Sequence, residues 1–409
     1  MVKYYNGNES GEVPGILPPE YYWWEGGAMF DTLVQYWHLT GDSQYNSIVS
    51  QAIQFQQGPN GDFMPPNQTS SEGNDDQSTW ALAAMSAVEA QLPEPDNGTA
   101  WLSLAEAVFN DQVRRWTSST CGGGILWQIN SFNVGYDYKS SLSNGNFFQL
   151  ASRLARYTGN STYSTWASTI FDWTTTVGFV DSEWNVYDGA STETNCTNIN
   201  KIQLSSSAGT FITGVAHMYN VTAGGSKWKT ALDGLLNRTI DLFFPEGIAT
   251  EVACEPHQTC TVDMKAFKGL LAHSLVDTIQ TAPYTTDIIM PQLASSAKAA
   301  ANNCNGDICS QIWTGTTSTN VTSGIGEQLS ALSFVQGLLV MEAAAPVTGN
   351  ETSTSTGSST ATQTPTTSAS GKPSSSANIS TNAGSTARSE IGKALMLGAG
   401  LGSMIWFMY

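Results

Sequence analysis

Three stretches of the chain follow one plan: an apolar helical run, a Gly-containing turn, then a second helix opening near an aromatic residue. Their turns read "LTGDSQY", "YTGNSTY" and "VTAGGSKW". This repeat constrains the fold more than any other feature, because a lone helical hairpin cannot bury its apolar face and must stack on its neighbours. Helical apolar spacing marks two further hairpins, "STWALAAMSAVEAQLPEPDNGTAWLSLAEAVFNDQVRRW" and "AFKGLLAHSLVDTI" with "TDIIMPQLASSAKAAANNC", and a single helix over about 325–342. Five pairs and one unpaired helix predict an all-α (α/α)6 barrel, completed by an N-terminal helix of which "MVKYY" reads as the last turn. An open helical solenoid is the alternative. In a closed barrel the loops opening the inner helices gather on one face. Here those are "LPPEYYWWEGG", "MPPNQTSSEGNDDQ", 121–144, 185–209, "EVACEPHQTCTVD" and "TSTNVTSGIGEQ".

With 34 acidic and 16 basic residues the chain carries a net charge of -18, which argues against a nucleic-acid partner. Six cysteines form an even set without CxxC pairs and read as disulfides. The expected pairing is Cys254 with Cys260 and Cys304 with Cys309 as local loops, leaving Cys121 with Cys196. Sequons at Asn8, Asn67, Asn97, Asn160, Asn195, Asn220, Asn237, Asn320, Asn350 and Asn378 fit a secreted, glycosylated protein.

The barrel is expected over 1–346. A Ser/Thr-rich stalk over 347–386 cannot bury a core. In 387–409 a polar spacer leads to "ALMLGAGLGSMIWFMY", too short for a span of about 20 residues. Small residues, spacer and apolar tail match a GPI-attachment signal, with Asn382 as the attachment residue and Ala383 or Gly384 as alternatives. That places the protein on the outer plasma membrane or in the wall. "VKYYNGNES" lacks the apolar segment of a signal peptide, so the chain is expected to start late.

"EGNDDQSTW" reads as a helix start capped by Asn74, with Gln77 completing a capping box. That leaves Asp75 and Asp76 as a carboxylate pair, as glycoside cleavage needs. Mutual repulsion would raise one pKa and keep that group protonated. The simpler reading is compensation of the helix dipole. Trp23, Trp24, Trp127 and Tyr136 are candidates for packing on sugar rings. His38, His217, His257 and His273 are scattered, so neither a metal site nor a cofactor is expected.

"PGILPPEYYWWEGGAMF", "MPPNQTSSEGNDDQSTWALAAMSAVE", "CGGGILWQI", "YDYKSSLSNGNFFQLASRLARYTGN" and "EQLSALSFVQGLL" resemble glycoside hydrolase family 76. The similar branch is that of fungal GPI-anchored mannan endo-1,6-α-mannosidase-like proteins of the Dfg5 and Dcw1 type, and it extends from Met1 to about Glu342. The resemblance implies a retaining double displacement on α-1,6-mannan or a GPI-core glycan, with cell-wall glucan as a possible acceptor. It puts the nucleophile at Asp75 and the acid/base at Asp76. Asn144 with Gly145, and Phe267 with Lys268 and Gly269, match motifs expected to line the sugar site beside Trp24 and Trp127. A membrane anchor and a monomer are expected. "QLSSSAG" departs from an aromatic-rich run, so Leu204, Ser206 and Ser207 replace groups expected to touch sugar. A catalytically impaired, mannan-binding wall protein is the competing reading.

Overall fold

The computed structural model describes residues 1–314 and 323–349. Eleven α-helices occur among them, in the order the repeats require. The pairs are α1 (Trp23–Thr40) with α2 (Asn46–Gln56), α3 (Asn74–Glu89) with α4 (Trp101–Arg115), α5 (Ser141–Thr158) with α6 (Ser161–Val177), α7 (Ser205–Val221) with α8 (Ser226–Phe243), and α9 (Met264–Thr281) with α10 (Thr286–Asn302). The unpaired helix is α11 (Ile325–Gly337). Two of the shared turns are C-caps: α1 and α5 stop at Gly41 and Gly159, whose φ values of 71° and 69° suit glycine. Helix α11 ends five residues before the expected Glu342. Beyond it Leu338 and Val340 donate to Val335 and Gly337, an i→i+3 pattern that tightens the chain out of the α-helix.

The odd-numbered helices pack side by side as an inner ring, α1–α3–α5–α7–α9–α11, and α11 returns to α1. Side chains fasten that closure. Gln336 Nε2 donates to the Thr32 carbonyl (3.3 Å) and to Gln35 Oε1 (3.2 Å), and Gln35 Nε2 donates to the His273 carbonyl (3.3 Å). The even-numbered helices lie outside and bury one stripe each, such as Leu104, Val108 and Phe109 of α4 or Leu232, Leu235 and Leu236 of α8. The result is an (α/α)6 barrel with six inner and five outer helices among the described residues. Residues Val2–Tyr4 form one 3₁₀ turn, with Tyr4 Oη 2.6 Å from Ser323 Oγ.

Inner helices approach closely where glycine removes a side chain. Gly214 of α7 faces the Phe148 ring of α5, and Gly269 of α9 lies against the backbone of α11 at Ser330. The axis is polar: Arg153 of α5 and Glu89 of α3 form a buried ion pair at 2.6 Å. The far end of the barrel is crossed by the chain after α11. Arg156 donates to the Pro346 carbonyl (2.6 Å), and Val347 N donates to the Glu89 carbonyl (3.1 Å), so the first stalk residues still rest on the barrel.

All six inner helices begin on the opposite face. Over it lies a small antiparallel sheet, β1 (Tyr138–Ser140), β2 (Gly189–Ser191) and β3 (Ile199–Asn200), in that order. A hairpin of β4 (Cys304–Asn305) and β5 (Ile308–Cys309) follows α10. The disulfides are Cys121–Cys196, Cys254–Cys260 and Cys304–Cys309, as the spacing predicts. Asn8, Asn67, Asn97, Asn160, Asn195, Asn220 and Asn237 are exposed, whereas Asn320, Asn350, Asn378 and the attachment residue Asn382 lie outside the described residues.

A Cβ on Gly269 would fall 2.9 Å from Ser330 Cα and 3.0 Å from its amide nitrogen, so the backbones of α9 and α11 must separate to admit it. Gly269→Ala is expected to destabilise the barrel by about 1–3 kcal/mol, read as a lowered unfolding midpoint in denaturant.

Candidate active site

Helix α3 opens at Gly73, and the cap differs from the sequence reading. The Gly73 amide donates to Asp76 Oδ2 at 2.7 Å, so Asp76 itself is the capping-box carboxylate. Asn74 is already helical and ties the turn to the next loop: its amide donates to the Trp127 carbonyl (2.8 Å) and its Nδ2 to the Leu126 carbonyl (2.9 Å). Gln77 turns inward, with Nε2 donating to the Asp62 carbonyl (2.7 Å) and Oε1 accepting from Arg115. The expectation that Asn74 and Gln77 form the cap is therefore corrected. The N–H groups they were expected to serve are met by carbonyls, that of Asn74 by Trp127 and that of Gln77 by Gly73, which frees both side-chain amides to brace the turn from behind.

Asp75 and Asp76 are each half-buried, and Asp75 Oδ1 is tucked against Gly73. Burial pushes the Asp75 carboxyl well above the usual range, and the Asp76 charge pushes it further. Its own amide, the Asp76 amide and the Trp127 indole oppose this by stabilising its anion. Burial likewise pushes Asp76 up to about 7; the Gly73 N–H opposes this and the charge on Asp263 adds to it. Because each ionised carboxylate raises the other, the pair holds one proton more readily than it releases both. Burial favours protonated Asp75, while the donors around Asp75 and the acid facing Asp76 favour protonated Asp76.

Three neighbouring inner helices repeat one device. Glu25 in α1, Asp76 in α3 and Glu327 in α11 each stand in the first turn, and the Tyr22 amide donates to Glu25 Oε2 at 2.7 Å as Gly73 does to Asp76. Asp263 stands at the residue preceding α9 and accepts from Trp24 Nε1 at 3.0 Å. Burial pushes Glu25 up to about 8, assisted by Asp263, Glu327 and Glu20, and pushes Glu72, beside Asp76, up to about 9. Sequence reasoning missed Asp263, Glu25 and Glu72 as members of the site. Each sits in a loop singled out for opening an inner helix, which was the available signal.

Other expected site residues fall elsewhere. Trp24 and Trp127 are half-buried beside Asp263 and Asp75, within the site. Asn144 is wholly buried, exchanging hydrogen bonds with both the amide and the carbonyl of Ile125 (2.9 and 3.0 Å); it fixes the strand of chain leading to Trp127 and does not line a sugar site. Lys268 also departs from expectation: it is wholly buried, paired to Glu255 at 2.8 Å, donates to the Gln311 carbonyl at 2.7 Å and lies over the Trp313 ring. Its tight partners inside the barrel leave no ammonium facing the cleft. Trp23 packs on Trp80 and donates to Gln56 Oε1, a core role. Ser206 and Ser207 are buried in the first turn of α7, Leu204 precedes that helix half-buried, and Ser205 is held by Glu251. Among the described residues no group of three or more His, Cys, Asp or Glu is arranged to hold a metal ion.

A family model described as glycosyl hydrolase family 76 matches residues 1–350. The chain belongs to glycosyl hydrolase family 76. Mannan endo-1,6-alpha-mannosidase Dfg5 of Saccharomyces cerevisiae is 38% identical over 416 residues, covering 100% of this chain and 90% of that one. A putative mannan endo-1,6-alpha-mannosidase of Schizosaccharomyces pombe is 42% identical over 349 residues, covering 84% and 79%. The crystal structure of Dfg5 from Chaetomium thermophilum in complex with glucosamine matches with a TM-score of 0.82 at 44% identity, covering 86% of this chain and 90% of that one. An alpha-1,6-mannanase from Salegentibacter sp. shares the fold, with a TM-score of 0.64 at 16% identity over 81% and 91% of the two chains. This family 76 protein is thus a glycoside hydrolase whose adjacent aspartates open the second inner helix of the barrel.

Raised carboxyls also set how stability depends on pH. Asp76 and Glu251 at about 7, Glu25 at about 8 and Glu72 at about 9 all lie above the unfolded values of about 4, so between pH 4 and 9 these four carboxyls bind more protons in the folded protein than in the unfolded chain. Their stabilising contribution is complete below about pH 4 and is lost as pH rises through the folded values. The unfolding midpoint is expected to fall from pH 5 to pH 9 in calorimetry, with a shallower fall in Glu72→Gln.

Proposed function

We propose that the protein cleaves α-1,6-linked mannose chains, in mannan or in a GPI-core glycan, with retention of configuration. Asp75 attacks C1 to form a glycosyl ester while Asp76 gives its proton to the departing oxygen as the C1–O bond breaks. Asp76 then takes a proton from the acceptor hydroxyl, whose oxygen attacks C1 and releases Asp75. With water as acceptor the outcome is hydrolysis; with a cell-wall glucan hydroxyl it is transfer, which would link GPI mannoproteins to the wall. The names carried by the yeast relatives support the substrate class, and Trp24 and Trp127 flank the pair where sugar faces would pack. The observation that carries the reading is the coupled pair itself: two adjacent carboxyls, both pushed up by burial, hold one proton between them, so one can act as acid while the other attacks. The Asp75 and Asp76 amides and the Trp127 indole stabilise an anion at Asp75 against burial and the Asp76 charge, and the division of roles follows the family resemblance.

The reading includes entry to the secretory pathway, a GPI anchor at the C-terminal end and a monomeric barrel.

Asp75→Asn and Asp76→Asn are each expected to abolish turnover of α-1,6-mannooligosaccharides with the fold intact. For Asp76→Asn the loss is about 10²–10⁴-fold, and smaller with an aryl leaving group that needs no proton. Kinetics on both substrates check this. Wild-type rates in either variant would assign the pair a capping role alone.

A further inference from the structure

Between Trp127 and Tyr138 the chain makes a compact excursion whose neck is closed by Trp127 N donating to the Tyr138 carbonyl at 2.7 Å. Inside it Asn133 N donates to the Asn130 carbonyl and Tyr136 N to the Asn133 carbonyl, at 3.1 and 3.2 Å. The side-chain amides of Asn130 and Asn133 donate to the carbonyls of Thr69 and Ser70 in the loop before α3. Gly135, at φ 90°, lies on the face of Trp127, where a Cβ would come within 2.4 Å of the ring. The loop is therefore held by its own turns, by the catalytic loop and by the indole that donates to Asp75.

Its tip is nevertheless apolar and open to solvent. Val134 and Phe132 are 84% and 73% exposed, the most exposed large apolar side chains among the described residues, and Tyr136 is 36% exposed. One such residue would need no explanation, but three within five positions of a tied loop do. We infer that Phe132 and Tyr136 form a platform for a sugar unit of the bound glycan beyond the unit at Asp75. The platform is continuous with the site through Trp127. Uncharged aromatic rings suit a neutral polyol, whose C–H faces pack on them, while the Asn130 and Asn133 amide nitrogens, committed to Thr69, Ser70 and Gln128, hold the loop that carries the rings. From Gln128 to Tyr138 there is no Lys or Arg, and the chain carries -18, so an anionic lipid headgroup or a nucleic acid would be repelled. This inference rests on the glycosidase reading for the identity of the glycan.

The test compares kcat/KM for six-unit and two-unit α-1,6-mannooligosaccharides in wild type, Phe132→Ala and Tyr136→Ala. The long-to-short ratio is expected to fall about three- to tenfold in each variant, mainly through KM for the long chain. An unchanged ratio overturns the inference while leaving the glycosidase reading intact. Calorimetric titration of the six-unit chain into Asp75→Asn, with and without Phe132→Ala, reads the platform without turnover. Weaker binding with Phe132→Ala supports it, and identical binding overturns it, whether or not the wild type cleaves mannan. Co-sedimentation with phosphatidylcholine vesicles that Phe132→Ala abolishes would assign the tip to a membrane and overturn the glycan platform.

Discussion

The hydrogen bond from the Gly73 amide to the Asp76 carboxylate is the contact on which the site depends. It fixes the first turn of α3 with the carboxylate we propose as the acid/base, leaving no separate capping residue between the helix and the cleft. One consequence is geometric: Asp75 is carried beside Asp76 and reaches Trp127, while Asn74 and Gln77 are released to brace the turn against Arg115 and the Leu126–Trp127 backbone. Another is electrostatic. A carboxylate that accepts from a helix-start amide is favoured as an anion, and burial with Asp263 opposes that preference until the proton is held near neutrality.

Closure of the inner ring explains why so many acids meet there. Six helices running the same way bring six N-termini to one face, and each N-terminus favours negative charge. Glu25, Asp76 and Glu327 answer that demand from adjacent helices, and Asp263 adds a fourth carboxylate at the residue preceding α9. Burial raises the pKa values of Glu25, Asp76 and Asp263, and the charges gathered there raise Glu25 and Asp76 further. The barrel thus trades some stability at neutral pH for a site rich in protonatable groups. The same face carries the loop from Trp127 to Tyr138, so proton chemistry and aromatic surface lie side by side.

Much of the fold was legible in the sequence because its signals are local. Apolar spacing set the hairpins, glycine at positions 41 and 159 marked two C-caps, and short cysteine separations fixed two disulfides and left the third. The pair at Asp75 and Asp76 was legible mainly through the family resemblance, since spacing alone also fits dipole compensation. What failed depended on where a side chain points. Lys268 and Asn144 sit in motifs near helix starts, yet both turn into the barrel wall, Lys268 toward Glu255 and Asn144 toward Ile125. Asp263 and Glu25 were invisible as partners because only the closed ring brings loops so distant in sequence to one cleft.

The central claim is that Asp75 becomes covalently attached to the sugar while Asp76 manages the proton. Incubation with a mechanism-based fluorinated α-mannosyl donor, followed by peptide mass spectrometry, tests it most directly. The account predicts one mannosyl adduct per chain, on the peptide containing Asp75, absent in Asp75→Asn and still formed in Asp76→Asn when the leaving group is activated. An adduct on Asp76, or on any residue outside the α3 turn, would contradict it.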